Sequence, residues 1–174
     1  MNFNTIRKEL AEQAKNNEIC KEWLEQLKTV PDLDSMLDMY IRGIDFCFSN
    51  EYPTNGFIRR NLKGNMEHKG IYLDETIDLH NQKTTICLGD SWLNFLGNEY
   101  TVSQIYLKDR VKAKVVAKDS AFIMIDIFDN VELEIEAYGE TKVCVNCYKG
   151  AKVKFKELDK SYVKVSYKST KTYQ

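Results

Sequence analysis

The sequence predicts an α+β fold in which an N-terminal helical head is followed by a C-terminal β-solenoid. Three observations support this fold class: helical spacing of apolar residues over the first sixty-odd positions, strand-like alternation after residue 70, and a ten-residue repeat from residue 101. At 174 residues and 43% hydrophobic content, the chain is large enough to bury a core. We expect a helical head over 1–66, a β transition or cap over 67–100, and solenoid repeats over 101–174.

The helical head is predicted to contain three or four helices. Residues 5–15 and 18–30 carry apolar side chains at three- and four-residue spacing, which places them on one helical face. Asp34 or Ser35 is expected to cap a third helix, because a short polar side chain can accept hydrogen bonds from the free N–H groups of the first turn. The apolar spacing continues to Phe48, and a short last helix follows.

The ten-residue repeat is the strongest pattern in the chain. Its fifth position is always apolar, its third is apolar from the second repeat onward, and its ninth and tenth are rich in Asp, Asn and Gly. The fifth-position residues are Ile105, Val115, Ile125, Ile135, Val145, Phe155 and Val165. Each unit is therefore predicted to be a strand with a short corner, in which odd-numbered side chains face a core and even-numbered ones face outward.

Charge order along the repeat favours two strands per coil of about twenty residues. In that arrangement, residues twenty apart stack on neighbouring strands, and opposite charges then alternate. The two columns are Lys112, Glu132 and Lys152, and Lys114, Glu134 and Lys154. A ten-residue stacking would instead set the acidic row beside Phe122 and Met124. An antiparallel β meander remains the alternative, since it also uses short polar corners.

Residues Val131 to Gly139 (VELEIEAYG) and 151–155 resemble the units of short-repeat β-solenoids from bacterial and phage mobile elements. The resemblance covers about the last seventy residues and implies the solenoid fold. For function it implies a scaffold, an adhesive surface or an inhibitor. The helical head is similar to small proteins of bacterial mobile elements, which implies no catalytic residue here.

Composition bears on the partner and the compartment. The chain has 25 basic and 26 acidic residues, a balance that disfavours nucleic acid and anionic membranes as partners. Interleaved lysines likewise disfavour nucleic-acid mimicry by the glutamate row of residues 132–136. No apolar stretch approaches the roughly 20 residues that span a bilayer, and five cysteines are an odd number for a disulfide framework. We therefore expect a cytoplasmic protein without a cofactor.

Two candidate chemical sites stand out, and neither predicts an enzyme by itself. Cys144 and Cys147 form a C-x-x-C motif, but residues three apart on a strand point to opposite faces, so a structural role is expected. His80 follows Asp74 and Asp78, and Asp78 and His80 share a strand face, which allows a metal or acid–base site. The sequence indicates no catalytic residue, and it favours a non-enzymatic protein without excluding an enzyme.

The outward apolar residues of the repeat give the main functional hypothesis. One outer face stacks apolar side chains, and aromatic residues also gather at the eighth position. The predicted interaction surface consists of Phe122, Met124, Tyr162, Phe128, Tyr148 and Tyr138. Such a patch is typical of a protein interface, a homodimer contact, or a face covered by the protein's own head. We expect a non-enzymatic protein-binding module, such as an inhibitor of a host defence or nuclease system. The alternative is a small metal-binding or ligand-binding protein, or an enzyme, with its site where head and solenoid meet.

Overall fold

A computed structural model describes residues 2–173 of the chain, and these form two compact units. The first, a helical unit, comprises the residues up to Lys69 together with Thr172 and Tyr173. The second, a solenoid unit, comprises Gly70–Lys171. This order confirms the predicted fold class.

The helical unit is built from amphipathic helices whose apolar faces are buried. Its described residues form α1 (Phe3–Asn16), α2 (Lys21–Thr29), α3 (Leu33–Arg42), α4 (Ile44–Ser49), α5 (Asn55–Asn61) and a 3₁₀ turn at Glu67–Lys69. In α1, the buried residues include Ile6, Leu10 and Ala14, which share the predicted face. The buried Tyr52 hydroxyl donates a hydrogen bond to the Leu10 carbonyl oxygen at 2.9 Å, which ties the segment after α4 to α1.

The third predicted helix differs from the expectation at both its start and its middle. Asp32, rather than Asp34 or Ser35, is the N-cap, and its carboxylate accepts a hydrogen bond from the Ser35 N–H at 2.8 Å. Gly43 then interrupts the helix with φ −102° and ψ 28°, so α3 and α4 are separate. Glycine is a poor helix former, and a Cβ at this position would lie 3.1 Å from the Trp23 ring. The described head therefore has five α-helices, and the prediction of three or four was too low.

The solenoid unit consists of eleven described strands in two parallel sheets. The strands are β1 (Ile71–Leu73), β2 (Thr76–His80), β3 (Thr84–Leu88), β4 (Trp92–Gly97), β5 (Val102–Leu107), β6 (Lys112–Ala117), β7 (Phe122–Ile127), β8 (Glu132–Ala137), β9 (Lys142–Cys147), β10 (Lys152–Glu157) and β11 (Tyr162–Tyr167). Odd-numbered strands form one sheet, here called sheet A, in the order β1-β3-β5-β7-β9-β11. Even-numbered strands form sheet B, in the order β10-β8-β6-β4-β2.

Strand register confirms the predicted coil of two strands and twenty residues. Glu132 pairs with Lys112 on one side and with Lys152 on the other. All of the pairings are parallel, so the antiparallel meander is wrong. The first coil is shorter, because Ile71 pairs with Ile86 and Thr76 pairs with Trp92. The segment expected as a β transition therefore contributes β1–β4 to the same two sheets.

The core of the solenoid lies between the two sheets and is filled by the odd-numbered side chains. The third and fifth positions of the repeat are buried through most of the coils, as the alternation predicts. Ile105, Val115 and Ile125 are fully inaccessible to solvent. The last coil is the exception, because the inward-facing Phe155 remains 42% exposed. Burial is thus less complete at the last described coil, formed by β10 and β11.

The corners are held by a ladder of aspartates at the ninth position. Asp109, Asp119, Asp129 and Asp159 all have positive φ, between 57° and 70°, a conformation that Asp tolerates better than most residues. The carboxylate of Asp119 accepts a hydrogen bond from the Glu99 N–H at 2.9 Å, and that of Asp159 accepts one from the Gly139 N–H at 3.0 Å. Each carboxylate therefore fixes the corner one coil earlier, which keeps the outward residues in vertical columns.

Candidate functional site

The outer face of sheet A carries an apolar column. The strand register places Val102, Phe122, Lys142 and Tyr162 next to one another in that order. Val102 is 58% exposed and Tyr162 is 55% exposed, while Phe122 is half-buried. Met124 lies in the adjacent column of the same face. Three predicted surface residues, Phe122, Met124 and Tyr162, therefore do share one outer face.

The outer face of sheet B is different in chemistry, because lysine and glutamate alternate across its strands. Lys114 Nζ lies 3.1 Å from Glu136 Oε1. The hydrogen bond from Lys114, followed by one from the Tyr138 hydroxyl, lowers the pKa of Glu136. The lysines and glutamates of β6, β8 and β10 are exposed or half-buried, and the strand register sets lysines beside glutamates. Over β6, β8 and β10, sheet B therefore presents a charged face, whereas Trp92 on β4 of the same sheet is 46% exposed.

Phe128 and Tyr148 lie at the corner that leads from sheet A to sheet B. Their rings are stacked, with centroids 4.4 Å apart and an interplanar angle of 17°, as expected for residues twenty apart. Phe128 is fully buried and Tyr148 is only 7% exposed. The expectation that this pair adds to an exposed patch is wrong, because eighth-position side chains at this corner turn away from solvent.

Tyr138 lies at the opposite corner, apart from the other predicted surface residues. It lines an open groove of about 580 Å³ together with Lys118, Asp119, Glu136 and Asp159, among others. Its hydroxyl donates a hydrogen bond to Glu136 Oε2 at 3.0 Å, and Lys118 Nζ lies 5.9 Å from the ring centroid. The six predicted residues are therefore distributed over a sheet face and two corners.

The carboxylates that line this groove contact groups of the solenoid itself. Asp119 and Asp159 accept the corner hydrogen bonds described above, and Glu136 is paired with Lys114. A general acid or base must have a proton position that faces a substrate. In this groove the carboxylates of Asp119 and Asp159 hold backbone N–H groups, and that of Glu136 contacts a lysine.

At the second predicted site, the side chains of Asp74, Asp78 and His80 make hydrogen bonds with residues of the next coil. Asp78 Oδ1 accepts a hydrogen bond from Asn94 Nδ2 at 2.8 Å. His80 Nε2 lies 2.9 Å from Asn98 Oδ1, and Asp74 Oδ1 accepts the Asp90 N–H at 3.0 Å. Within residues 2–173, no three or more His, Cys, Asp or Glu side chains are grouped as metal ligands would be. Asp78 and His80 thus both lie on the exposed face of β2, and each is hydrogen-bonded to an asparagine of the next coil.

The C-x-x-C motif is divided between the two faces of β9. Cys147 is buried in the core, whereas Cys144 faces outward and is half-buried. Both carry free thiols, and burial raises the pKa of Cys147. This division confirms the alternation argument, and a motif split in this way cannot bind one metal ion.

The last described coil exposes several large apolar side chains that the sequence pattern does not predict to be exposed. Phe155, Leu158 and Tyr167 are 42%, 43% and 73% exposed, and Tyr162 adjoins them in the same coil. Phe155 has an odd position in the repeat, which predicts that its side chain faces the core. Among the described residues, β8 is the strand that pairs with β10, and the described structure places no strand on its other side.

Comparisons with protein-family models, with curated proteins and with solved structures find no match to this chain. Across residues 2–173, none of the helices has the length and apolar character needed to cross a lipid bilayer.

Proposed function

We propose that this protein is a non-enzymatic protein-binding module, in which the solenoid presents the outer face of sheet A to another protein. The observation that carries the proposal is the column of Val102, Phe122, Lys142 and Tyr162, in which three of the four side chains are apolar or aromatic, with Met124 in the adjacent column. Aromatic residues and methionine are enriched in protein interfaces, where they bury much area at little conformational cost.

The framework beneath this column supports the proposal. Each of its residues projects from a strand that is hydrogen-bonded on one or both sides and has a buried apolar row below it. A preorganised surface loses little entropy when it binds. The contrast with sheet B also matters, because a face of alternating Lys and Glu remains hydrated and provides the solubility that an apolar face lacks.

A more specific version of the proposal is inhibition of a host defence or nuclease system. Its support is the resemblance of residues 131–139 to solenoid units from mobile elements, in which inhibitors occur. The alternative of a metal-binding, ligand-binding or catalytic site has less support, because the side chains of Asp78 and His80 are bonded to Asn94 and Asn98.

Photo-crosslinking from defined positions tests the proposal. The photoreactive amino acid p-benzoylphenylalanine is placed at position 122 on sheet A or, as the control, at position 132 on sheet B. Both versions of the full chain are irradiated in lysate of the native host. We expect position 122 to capture a discrete protein that position 132 does not capture. A crosslink to a second copy of the chain would instead indicate a homodimer through the same face.

Substitution provides the second arm of the test. In protein that carries the photoreactive residue at position 122, Val102→Ser/Met124→Ser/Tyr162→Ser removes the other apolar side chains of this face, while Lys142→Ser/Lys164→Ser changes two exposed polar positions of the same face. Both variants are first compared with the parent by circular dichroism to show that they fold. Loss of the captured protein with the first variant alone supports the proposal. Equal capture by the parent and both folded variants would overturn it.

A further inference from the structure

The solenoid ends in an open sheet edge at its last coil. Among the described strands, β10 lies at the edge of sheet B and pairs only with β8, while β11 lies at the edge of sheet A and pairs only with β9. The inward side chains of β10 are not covered as they are elsewhere: Val153 is half-buried and Phe155 is 42% exposed. Repeat proteins usually end in a polar capping unit, because an open core and an open edge both invite association.

The backbone of β10 has an ordered row of groups that face away from β8. The Lys152 N–H donates to the carbonyl oxygen of Val131, just before β8, and the N–H of Leu158, just after β10, donates to that of Ala137. In a parallel ladder, the direction of these groups alternates from residue to residue. The N–H and C=O groups of Val153, Phe155 and Glu157 therefore point to the open edge, where an added strand can bond to them.

β11 is less suited to accept a strand than β10. The Val163 N–H, which faces the open edge of sheet A, already donates to Glu157 Oε1 at 2.6 Å. That bond occupies one of the positions to which an incoming strand would pair. The carboxylate thus blunts the edge of sheet A and leaves the edge of sheet B open.

The charges on β10 indicate which kind of strand can pair with its open edge. The outward residues of β10 are Lys152, Lys154 and Lys156, and all three are exposed. Inside the solenoid, Glu132 and Glu134 each lie between two lysines, whereas the lysines of β10 have an acidic neighbour on one side only. A second copy of β10 would set lysine opposite lysine, which is unfavourable. The edge is thus complementary to a strand of alternating acidic and apolar residues.

We propose that the β10 edge binds an extended acidic segment of a partner protein by strand addition to sheet B. The segment alternates Glu or Asp with Val, Ile or Leu, so that its carboxylates lie beside the three lysines of β10. Its apolar side chains cover Val153 and Phe155. This edge is distinct from the outer face of sheet A, and the inference does not depend on the function proposed for that face.

A synthetic peptide copy of β8 is the probe, because β8 is the strand that the protein itself places beside β10. The labelled peptide VELEIEA corresponds to residues 131–137, and its binding to the full-length protein is followed by fluorescence anisotropy. A scrambled peptide of the same composition, with its glutamates adjacent, is the control. We expect binding in the micromolar range, at least about tenfold tighter than the scrambled control, and weaker at high salt.

Two further comparisons separate strand addition from simple charge attraction. A peptide that is N-methylated at one alternate set of residues loses the N–H groups that face β10, and a peptide methylated at the other set keeps them. We expect one of the two to lose binding and the other to retain it. Charge reversal by Lys152→Glu/Lys154→Glu/Lys156→Glu is expected to abolish binding, whereas Lys142→Glu/Lys164→Glu on sheet A leaves it unchanged.

The proposal is overturned if no binding of VELEIEA is measurable, or if the scrambled and both methylated peptides bind equally. Equal competition by an unrelated polyanion such as heparin would also overturn it, because it would reduce the edge to a nonspecific basic patch. Should the triple charge reversal fail to fold, Val153→Pro gives an independent test. This change removes one N–H at the open edge, where proline is tolerated, and is expected to weaken binding about tenfold.

Discussion

The carboxylate of Asp119 accepts a hydrogen bond from the backbone N–H of Glu99, twenty residues earlier in the chain, at 2.9 Å. Both residues have positive φ, 61° for Asp119 and 56° for Glu99. The bond therefore joins two strained corners of successive coils and sets their vertical spacing. The same relationship recurs between Asp109 and Gly89 at 2.7 Å.

Replacing Asp119 tests this corner ladder. Asp119→Ala removes the acceptor and places a less tolerant residue in the left-handed region, so we expect the free energy of unfolding to fall by about 1–2 kcal/mol. Asp119→Asn keeps an acceptor oxygen and the conformational tolerance, and it should cost less. Urea denaturation of the two variants and the parent measures the difference. Equal losses for Ala and Asn would show that the hydrogen bond contributes little.

Gly139 is the corner position at which a side chain has no room. Its φ is +70°, and a Cβ would lie 2.8 Å from the Asp119 carbonyl oxygen. We expect Gly139→Ala to destabilise the protein by about 2 kcal/mol or more, from backbone strain together with this contact. Gly64→Ala is the matched control, because Gly64 has φ +88° with no atom within 4 Å of the added Cβ. Thermal unfolding should show the larger loss for Gly139→Ala, and the reverse order would contradict the packing at this corner.

Adjacent residues of β7 should differ in their contribution to stability. Ile125 is fully buried in the core, whereas Met124 is half-buried on the outer face of sheet A. We expect Ile125→Ala to cost about 3 kcal/mol, through lost burial and the cavity it leaves. Met124→Ala should cost distinctly less. Chemical denaturation measures both, and similar costs would place the two side chains in comparable environments and contradict the alternation.

Thiol labelling should distinguish the cysteines by position. Cys20 is exposed, Cys144 is half-buried, and Cys47, Cys87 and Cys147 are buried. Burial also raises the pKa of the Cys47, Cys87 and Cys147 thiols, which keeps them protonated and unreactive near neutral pH. Brief treatment with iodoacetamide followed by peptide mass spectrometry should find Cys20 modified first and Cys144 next. Rapid labelling of Cys147 in the folded protein would contradict its inward position.

The solenoid was predictable from the sequence because its strands repeat every ten residues. The order of Lys112, Glu132 and Lys152 then indicates which strands are neighbours, since opposite charges lie side by side. The break at Gly43 was harder to predict. Apolar spacing continues through it, and the packing of the Trp23 ring beside Gly43 joins two positions twenty residues apart in the chain.

The candidate site was predicted less completely than the fold. The face that carries Phe122 and Met124 follows from alternation along a strand, but alternation stops at a corner. The burial of Phe128 and Tyr148 therefore could not be derived from their positions. The open edge of β10 was missed for a related reason: strand parity places Phe155 inward and does not indicate whether a further coil covers it.

Disulfide mapping tests the central claim, that residues twenty apart lie on neighbouring strands. Native Cys144 pairs in register with Lys164, and their Cα atoms are expected to be about 4.8 Å apart, which suits a disulfide. Lys154 is ten residues from Cys144 and lies on the outer face of the opposite sheet. Lys164→Cys and Lys154→Cys are oxidised mildly under native conditions, and linked peptides are identified by mass spectrometry. We predict a link from Cys144 to position 164 and none to position 154; a link to position 154 alone would contradict the two-strand coil.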